Sequence, residues 1–300
     1  MENKKINFIF WGAGPLAESA LYTLYKNDLI PSLVVTTPDK KTGRKMQIQK
    51  NIITSWCESK NIKYWQIESL KDIEISSSPI SKENFNNNLD LSIVASYPKI
   101  LKEEILNLPK YGTLNIHPSK LPKYRGPSPI QTALLNGETS TSVSIIKLDK
   151  EIDHGPILIQ KEINILNEDT NELLERKCGA LGGELLIEIL PFYLEGNLKL
   201  IEQDHNNATF TRKFEKKEGE ISLTDDASTV QNRFKAFTPH IPLFFFINHN
   251  NKKIRIKISK INLDKDYAKE KRVKDIIDKV IPEGKNEIDF ENFYRGYIKN

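Results

Sequence analysis

The chain has 300 residues, of which 38% are hydrophobic and 28% charged. This length exceeds what a single hydrophobic core usually supports, so we expect two domains. No apolar run approaches the roughly 18 residues of a membrane-spanning helix, which excludes a helical integral membrane protein. The excess of basic over acidic residues, 44 against 40, is too small by itself to indicate a nucleic-acid-binding protein.

The two cysteines, Cys57 and Cys178, lie far apart and outside any C-x-x-C motif. Neither a disulfide framework nor a cysteine zinc site is therefore predicted, and the cytoplasm is the expected compartment. His117, Asp153 and His154 lack the spacing of paired metal ligands on a helix, so we expect no metal. A monomer that does not associate with membranes is also expected.

Short β-branched and aromatic runs alternate with amphipathic stretches over the first half of the chain. This pattern is typical of βα units and predicts a Rossmann-like, mostly parallel sheet. The predicted strands are Ile6–Trp11, Leu33–Thr37, Ile62–Gln66, Asp90–Ala95, Thr113–His117, Ser142–Leu148 and Ile157–Ile163. The predicted helices are Pro15–Lys26, Ile48–Lys60, Lys102–Leu108 and a long one from Asn171 to about Leu194, whose Gly179, Gly182 and Gly183 indicate close packing. Residues 74–88 are polar and predict a solvated loop or a frayed helix.

The composition changes after residue 200. We predict a catalytic domain at residues 1–200, a linker at 201–207 and a smaller, β-rich domain at 208–300. From Ala208 onward there are 20 basic and 14 acidic residues, so the net positive charge of the chain lies in this last segment. We expect a helix at Ser228–Phe237, a strand at Lys253–Ile258 and a charged helix at Asp264–Lys279.

Residues 12–17 read GAGPLA and satisfy the dinucleotide fingerprint G-x-G-x-x-A, with Asp39 about 20 residues onward. Pro15 removes a backbone N–H from the helix start that would face a phosphate, and Pro38 precedes the proposed ribose carboxylate. A tight strand-to-helix turn is therefore the favoured interpretation. A dinucleotide-binding protein is the alternative.

Polar side chains that suit acyl transfer lie at the end of the predicted strand that finishes at His117. Asn115 and His117 share one face of this strand, about 6.5–7 Å apart along the chain. An amide can stabilise an oxyanion, an imidazole can exchange a proton, and Asp153 in a later turn can orient the ring. A structural histidine and an ordinary turn aspartate are the alternatives. Neither Ser119 nor Cys57 lies in a nucleophile context, which favours direct transfer.

Four segments together carry a more specific signal: FWGAGPLAESAL, TTPDKKTGRK, NIHPSKLPKYRGPSPIQTALLNGE and LDKEIDHGPIL. Their order and spacing over roughly the first 200 residues resemble the formyltransferase family that uses 10-formyltetrahydrofolate. The resemblance implies that Asn115, His117 and Asp153 are the catalytic trio. It also implies formyl transfer to the α-amine of methionyl-initiator tRNA, with a nucleotide-sugar amine as the alternative acceptor. The alternative from another class is a folate- or dinucleotide-binding protein without transfer activity.

The same resemblance implies two binding surfaces and a reduced, OB-like C-terminal domain. The folate pocket is expected to be walled by Ser96, Tyr97, Ile100, Leu101, Ser119, Leu121 and Pro122. The tRNA phosphates are expected to meet Lys40, Lys41, Arg44 and Lys45, because cations position a nucleic-acid backbone without reading its sequence. A solvated basic turn is the alternative for these four residues.

Overall fold

The computed structural model describes residues 6–42, 47–71, 73–264, 268–269 and 271–298, and only the backbone of Lys41 and Thr42. The chain divides into two compact units that alternate along the sequence. The first unit comprises Met1–Pro127, Ser142–Ile163 and Glu175–Phe210, and the second comprises Ser128–Thr141, Asn164–Leu174 and Thr211–Asn300. The sequence-based division at residues 200–208 stays a prediction.

The first unit is organised around a seven-stranded sheet with the strand order β5-β2-β1-β6-β7-β8-β9. The strands are β1 (Phe8–Gly12), β2 (Leu33–Thr36), β5 (Tyr64–Gln66), β6 (Leu91–Ala95), β7 (Thr113–His117), β8 (Ser140–Lys147) and β9 (Ile157–Asn164). The strands from β5 to β7 run parallel, and β8 runs antiparallel to β7. Every residue of β1, β6 and β7 is buried, as expected for the centre of a parallel sheet. The predicted α/β fold class is confirmed.

The helices in this part of the chain are α1 (Gly14–Lys26), α2 (Ile52–Lys60), α3 (Glu103–Leu106), α4 (Pro129–Leu135) and α5 (Asn171–Leu194). Of these, α4 belongs to the second unit. The prediction for α2 is wrong at its start, because Gln47–Gln49 forms strand β4 and pairs with β3 (Lys40–Thr42). Asn51 then caps the helix by accepting a hydrogen bond from the backbone N–H of Ile53 at 2.9 Å. The apolar residue that suggested an earlier start, Ile48, is 69% exposed.

The close packing predicted from the glycines of α5 is confirmed. A Cβ at Gly179 would lie 2.2 Å from the carbonyl oxygen of Leu16, and one at Gly182 would lie 2.3 Å from Cγ2 of Ile116. Real side chains do not approach this closely, so α5 lies directly on α1 and on β7 only because these residues are glycine.

Residues 74–88 are a loop with short helical turns, as predicted, but they are not fully solvated, and the prediction is wrong in that respect. They form two short 3₁₀ turns, Ile75–Ser77 and Lys82–Phe85. Ile80 and Phe85 are buried in the hydrophobic cluster that also contains Trp11. Two apolar side chains in a polar stretch therefore anchor it, although their spacing follows neither helix nor strand periodicity.

The second unit contains a four-stranded antiparallel sheet with the order β10-β11-β12-β13. Its elements are α6 (Ala227–Phe237), β10 (Phe244–His249), β11 (Lys252–Ile261), α7 (Val273–Ile276), β12 (Ile277–Pro282), β13 (Ile288–Asp289) and α8 (Phe290–Tyr297). The charged helix predicted over Asp264–Lys279 is wrong at its C-terminal end, because helix α7 has only four residues and is followed at once by β12. Residues 265–267 and 270 of the predicted range lie outside the described residues. β-branched residues pairing with β11 outweigh the helical charge pattern there.

Within the residues that the structure describes, no helix is both long and apolar enough to cross a membrane.

Candidate active site

Asn115 and His117 lie at the carboxyl end of β7, next to the carboxyl end of β6 in the sheet. They occupy alternate positions of the strand and therefore share a face. Only 9% of Asn115 and 4% of His117 are exposed. The carboxyl ends of parallel strands are where α/β proteins bind ligands, so the strand order places this amide and this imidazole at the expected edge.

The turn between β8 and β9 brings Asp153 to the same place. Its Oδ1 lies 3.4 Å from Nδ1 of His117 and accepts a hydrogen bond from Nδ2 of Asn115 at 3.3 Å. Its Oδ2 accepts a shorter hydrogen bond, 2.7 Å, from the backbone N–H of Gly126. One carboxylate therefore contacts the side chains of Asn115 and His117 and the loop that follows their strand.

The second nitrogen of the His117 ring is also engaged. Nε2 lies 2.9 Å from the carbonyl oxygen of Tyr124. A carbonyl oxygen only accepts hydrogen bonds, so Nε2 carries a proton and Nδ1 is the nitrogen that can gain or lose one. Asp153 faces Nδ1 and stabilises the ring when both nitrogens are protonated.

The loop after β7 is held by its own hydrogen bonds. The Ser119 hydroxyl is fully buried and donates to the carbonyl oxygen of Lys123 at 2.6 Å. The Ser144 hydroxyl donates to the Ser119 carbonyl at 2.6 Å, and the Gln160 amide donates to the Leu121 carbonyl at 3.1 Å. The Ser119 side chain thus stabilises the loop. Leu121 and Pro122, which come next in this loop, are joined by a cis peptide bond.

The segment after β6 supplies most of the predicted folate wall. Ser96 has a φ of +50°, so the chain turns sharply after the strand. The Tyr97 ring packs edge-on against Trp11, with 5.5 Å between centroids, and burial raises the pKa of its hydroxyl to about 12. Leu101 is buried in the hydrophobic cluster, whereas Ile100 is 78% exposed.

The Tyr97 hydroxyl is buried and has no hydrogen-bond partner among the described residues. Buried polar groups are nearly always satisfied, so this phenol needs a partner that the described chain does not provide.

The residues predicted to meet tRNA are only partly described. Lys40 is exposed at the start of β3, while Arg44 and Lys45, and the side chain of Lys41, lie outside the described residues.

The carboxylate that the dinucleotide alternative requires is already used within the fold. Asp39 Oδ1 accepts from the backbone N–H of Asn51 at 2.9 Å and from the Gln66 amide at 2.7 Å. These bonds tie the start of α2 to the end of β5. The observation weakens the interpretation of Asp39 as a ribose ligand.

Sequence reasoning missed one buried residue beside the site. Gln203, in the predicted linker, donates hydrogen bonds to the backbone carbonyls of Asp153 and Gly155. A single glutamine in a polar stretch has no local periodicity or motif that could have revealed it.

Among the residues that the structure describes, no group of three or more His, Cys, Asp or Glu side chains could hold a metal ion.

Comparison with known proteins identifies relatives over most of the chain. Residues 4–190 match the protein family described as Formyl transferase. The methionyl-tRNA formyltransferase of Thermotoga maritima is 40% identical over 232 residues, which cover 77% of this chain and 72% of that protein. The methionyl-tRNA formyltransferase of Dictyoglomus thermophilum is 35% identical over 320 aligned positions, covering 97% of each protein.

Solved structures share the fold at low sequence identity. Methionyl-tRNA formyltransferase from Clostridium thermocellum superposes with a TM-score of 0.58 at 16% identity, covering 95% of this chain and 99% of that chain. An N-formyltransferase from Helicobacter canadensis, solved with folinic acid and dTDP-3-aminofucose, superposes with a TM-score of 0.55 at 20% identity, covering 86% of this chain and 90% of that chain. Because proteins named for different acceptors share this architecture, the fold does not by itself identify an acceptor.

Proposed function

The chain belongs to the formyl transferase family, and on that premise we propose that it transfers a formyl group to the α-amine of methionyl-initiator tRNA. The formyl donor of this family is 10-formyltetrahydrofolate. The observation that carries the proposal is the buried cluster of Asn115, His117 and Asp153 at the carboxyl end of β7. The curated relatives support the choice of acceptor, since one of them is similar over 97% of the chain.

The proposed reaction is direct attack of the uncharged amine on the formyl carbon. Negative charge then develops on the formyl oxygen, and preorganised donors stabilise it. Asn115 uses one amide hydrogen toward Asp153, which holds its side chain in place and leaves the second hydrogen for the oxyanion. His117 lies between Asp153 and the Tyr124 carbonyl. It gains positive charge beside the same oxygen as it takes up the proton of the attacking amine.

The amine loses a proton as the new amide forms, and the bond between the formyl carbon and the folate nitrogen breaks, so that tetrahydrofolate leaves with a proton on that nitrogen. Nε2 of His117 is committed to the Tyr124 carbonyl, so Nδ1 is the ring nitrogen that exchanges this proton. Asp153 orients the ring and stabilises the imidazolium that results. Around this centre, Ser96, Tyr97 and Leu121 are proposed to hold the folate, and the unpartnered Tyr97 hydroxyl supports that assignment.

A basic face of the second unit suits the phosphate backbone of tRNA. Residues directly opposite each other on antiparallel strands share a face, which places Lys257 beside Phe244 and Arg255 beside Phe246. The Arg255 guanidinium lies 3.7 Å from the centroid of the Phe244 ring, and Lys253 Nζ lies 4.2 Å from that of Phe246. Cations held over aromatic rings and exposed to solvent can contact phosphates and stack on bases. We propose Lys40, Lys41, Arg44 and Lys45 as further phosphate contacts.

The double substitution Lys253→Gln and Arg255→Gln should weaken tRNA binding without changing the chemical step. We expect KM for methionyl-tRNA to rise about tenfold and the slope of log KM against log salt to fall by roughly 2, because two phosphate contacts are lost. The kcat at saturating tRNA should stay within about twofold of wild type. Steady-state kinetics at four salt concentrations provide the measurement.

Lys217→Gln is the matched control, because Lys217 already pairs with Glu215 at 2.9 Å and is proposed to contact no phosphate. An unchanged salt slope in the double variant would rule out this face as a tRNA contact.

One assay distinguishes the acceptors. Purified protein is incubated with 10-formyltetrahydrofolate and either methionyl-initiator tRNA or an amino-deoxy nucleotide sugar, and the formamide product is detected by mass. Product from the tRNA alone supports the proposal, whereas product from the sugar alone overturns the acceptor while preserving the family chemistry.

We also propose that the protein works in the cytoplasm as a monomer.

A further inference from the structure

Gln203 holds the turn that carries Asp153. It is only 5% exposed, although it lies in a polar segment. Its Nε2 donates to the backbone carbonyl of Asp153 at 2.9 Å and to that of Gly155 at 2.7 Å. Both hydrogens of one amide are therefore used on two carbonyls of the same turn, which fixes the backbone on either side of His154.

The orientation of this amide is set by a buried arginine. Nε and Nη2 of Arg125 donate to Oε1 of Gln203 at 3.2 and 2.7 Å. A guanidinium only donates, so the oxygen of Gln203 must face Arg125 and the NH₂ group must face the turn. Arg125 is 3% exposed, and its Nη2 also lies 2.8 Å from Nδ1 of His205.

The position of Arg125 in the chain extends the effect to the rest of the site. Its predecessor, Tyr124, provides the carbonyl that faces Nε2 of His117. Its successor, Gly126, provides the N–H that donates to Oδ2 of Asp153. The Arg125–Gln203 contact therefore joins the loop that holds His117 to the turn that holds Asp153.

This turn needs external support. Asp153 has a φ of +50°, in the left-handed region that a non-glycine residue adopts only at a cost in energy. Hydrogen bonds to its own carbonyl and to that of Gly155 oppose relaxation of the backbone. Without them, the carboxylate would lose its fixed distance to the Asn115 amide and the His117 ring.

We propose that Gln203 is a positioning residue for formyl transfer: its amide holds the Asp153 turn against the Arg125 loop and thereby keeps the Asp153 carboxylate aligned with His117. This inference rests on the proposed function of Asn115, His117 and Asp153. It assigns a role in the reaction to a segment that the sequence suggests is only a linker.

The substitution Gln203→Glu tests the donors specifically. The carboxylate still accepts hydrogen bonds from Arg125, but it has no hydrogen to donate. It places an oxygen next to the carbonyl oxygens of Asp153 and Gly155, which repel it. We expect kcat to fall by about 10- to 100-fold, because a small displacement of a catalytic group has an effect of that size. KM for both substrates should stay within about threefold of wild type. Glu202→Gln, at the exposed neighbouring position, is the control and should leave kcat unchanged.

The same substitution in an Asp153→Asn background separates positioning from general structural damage. If Gln203 acts through Asp153, adding Gln203→Glu to the Asp153→Asn variant should lower kcat by less than about threefold. A loss of the same factor in both backgrounds, or no loss in an active wild-type background, overturns the inference. Gln203→Met, which removes the polar atoms but keeps the length, is the second variant if Gln203→Glu does not fold.

Failure of the proposed function has a different signature. A wild-type protein that formylates only a sugar amine overturns the tRNA assignment, and the same variant series with that acceptor still decides the role of Gln203. A wild-type protein inactive on both acceptors overturns the function and this inference together.

Discussion

Replacement of Asn115 by alanine should lower kcat for formyl transfer by at least about 100-fold, since removal of one oxyanion donor has an effect of that order. The substitution removes the amide that contacts Asp153 Oδ1 at 3.3 Å, and with it the hydrogen proposed to stabilise the oxyanion. KM should change little, because the interaction strengthens in the transition state. Single-turnover kinetics with saturating folate measure the chemical step directly.

Asn197→Ala is a suitable control, because Asn197 is exposed in the turn after α5 and its side-chain amide donates to the side chain of Glu195, away from the site. It should retain wild-type rates. A folded Asn115→Ala variant that reacts within threefold of wild type would remove Asn115 from the proposed mechanism.

Gly155→Ala should impair both folding and activity. A Cβ at this position would lie 1.9 Å from the carbonyl oxygen of Lys147, so the turn must move away from the end of β8. Steric strain of this kind costs about 1–3 kcal/mol of unfolding free energy. The movement also displaces Asp153, two residues earlier, and should reduce kcat by about 100-fold. Chemical denaturation and formyl-transfer kinetics on the same preparation give both quantities.

Gly296→Ala is the matched control. No heavy atom lies within 4 Å of a Cβ at Gly296, which is exposed in helix α8. Alanine there should leave activity unchanged and stability unchanged or slightly higher, because alanine favours a helix over glycine. If Gly155→Ala matched this control in stability and in kcat, the turn would not be sterically constrained.

The parts of the fold that could be predicted are those in which local pattern and tertiary position agree. Strand β7 matches its predicted bounds, Thr113–His117, because a fully buried β-branched run ends at a proline that cannot continue the ladder. The alternation of side chains along that strand then places Asn115 and His117 together. The turn of Asp153 follows from two neighbouring strands, although its distance to His117 could not be predicted from spacing.

The parts that could not be predicted depend on distant partners. Gln203 contacts Arg125 and Asp153, and neither partner is near it in sequence, so no local signal exists. Ile48 follows helical spacing but belongs to a hairpin, because pairing with Lys41 determines its conformation. Gln203 is thus determined by long-range hydrogen bonds, and Ile48 by pairing with the preceding strand, which overrides its helical spacing.

The contact between Gly182 and Ile116 has a consequence for natural and laboratory variation. Ile116 stands between the two polar residues of β7, and the helix backbone at Gly182 presses directly on it. A larger residue at position 182 would push the strand and shift Asn115 and His117 together. A library of random variants selected for activity would therefore be depleted at Gly182 as strongly as at a reacting side chain, although this residue has no functional group. A map of mutational tolerance would thus assign to the reaction more residues than take a chemical part in it.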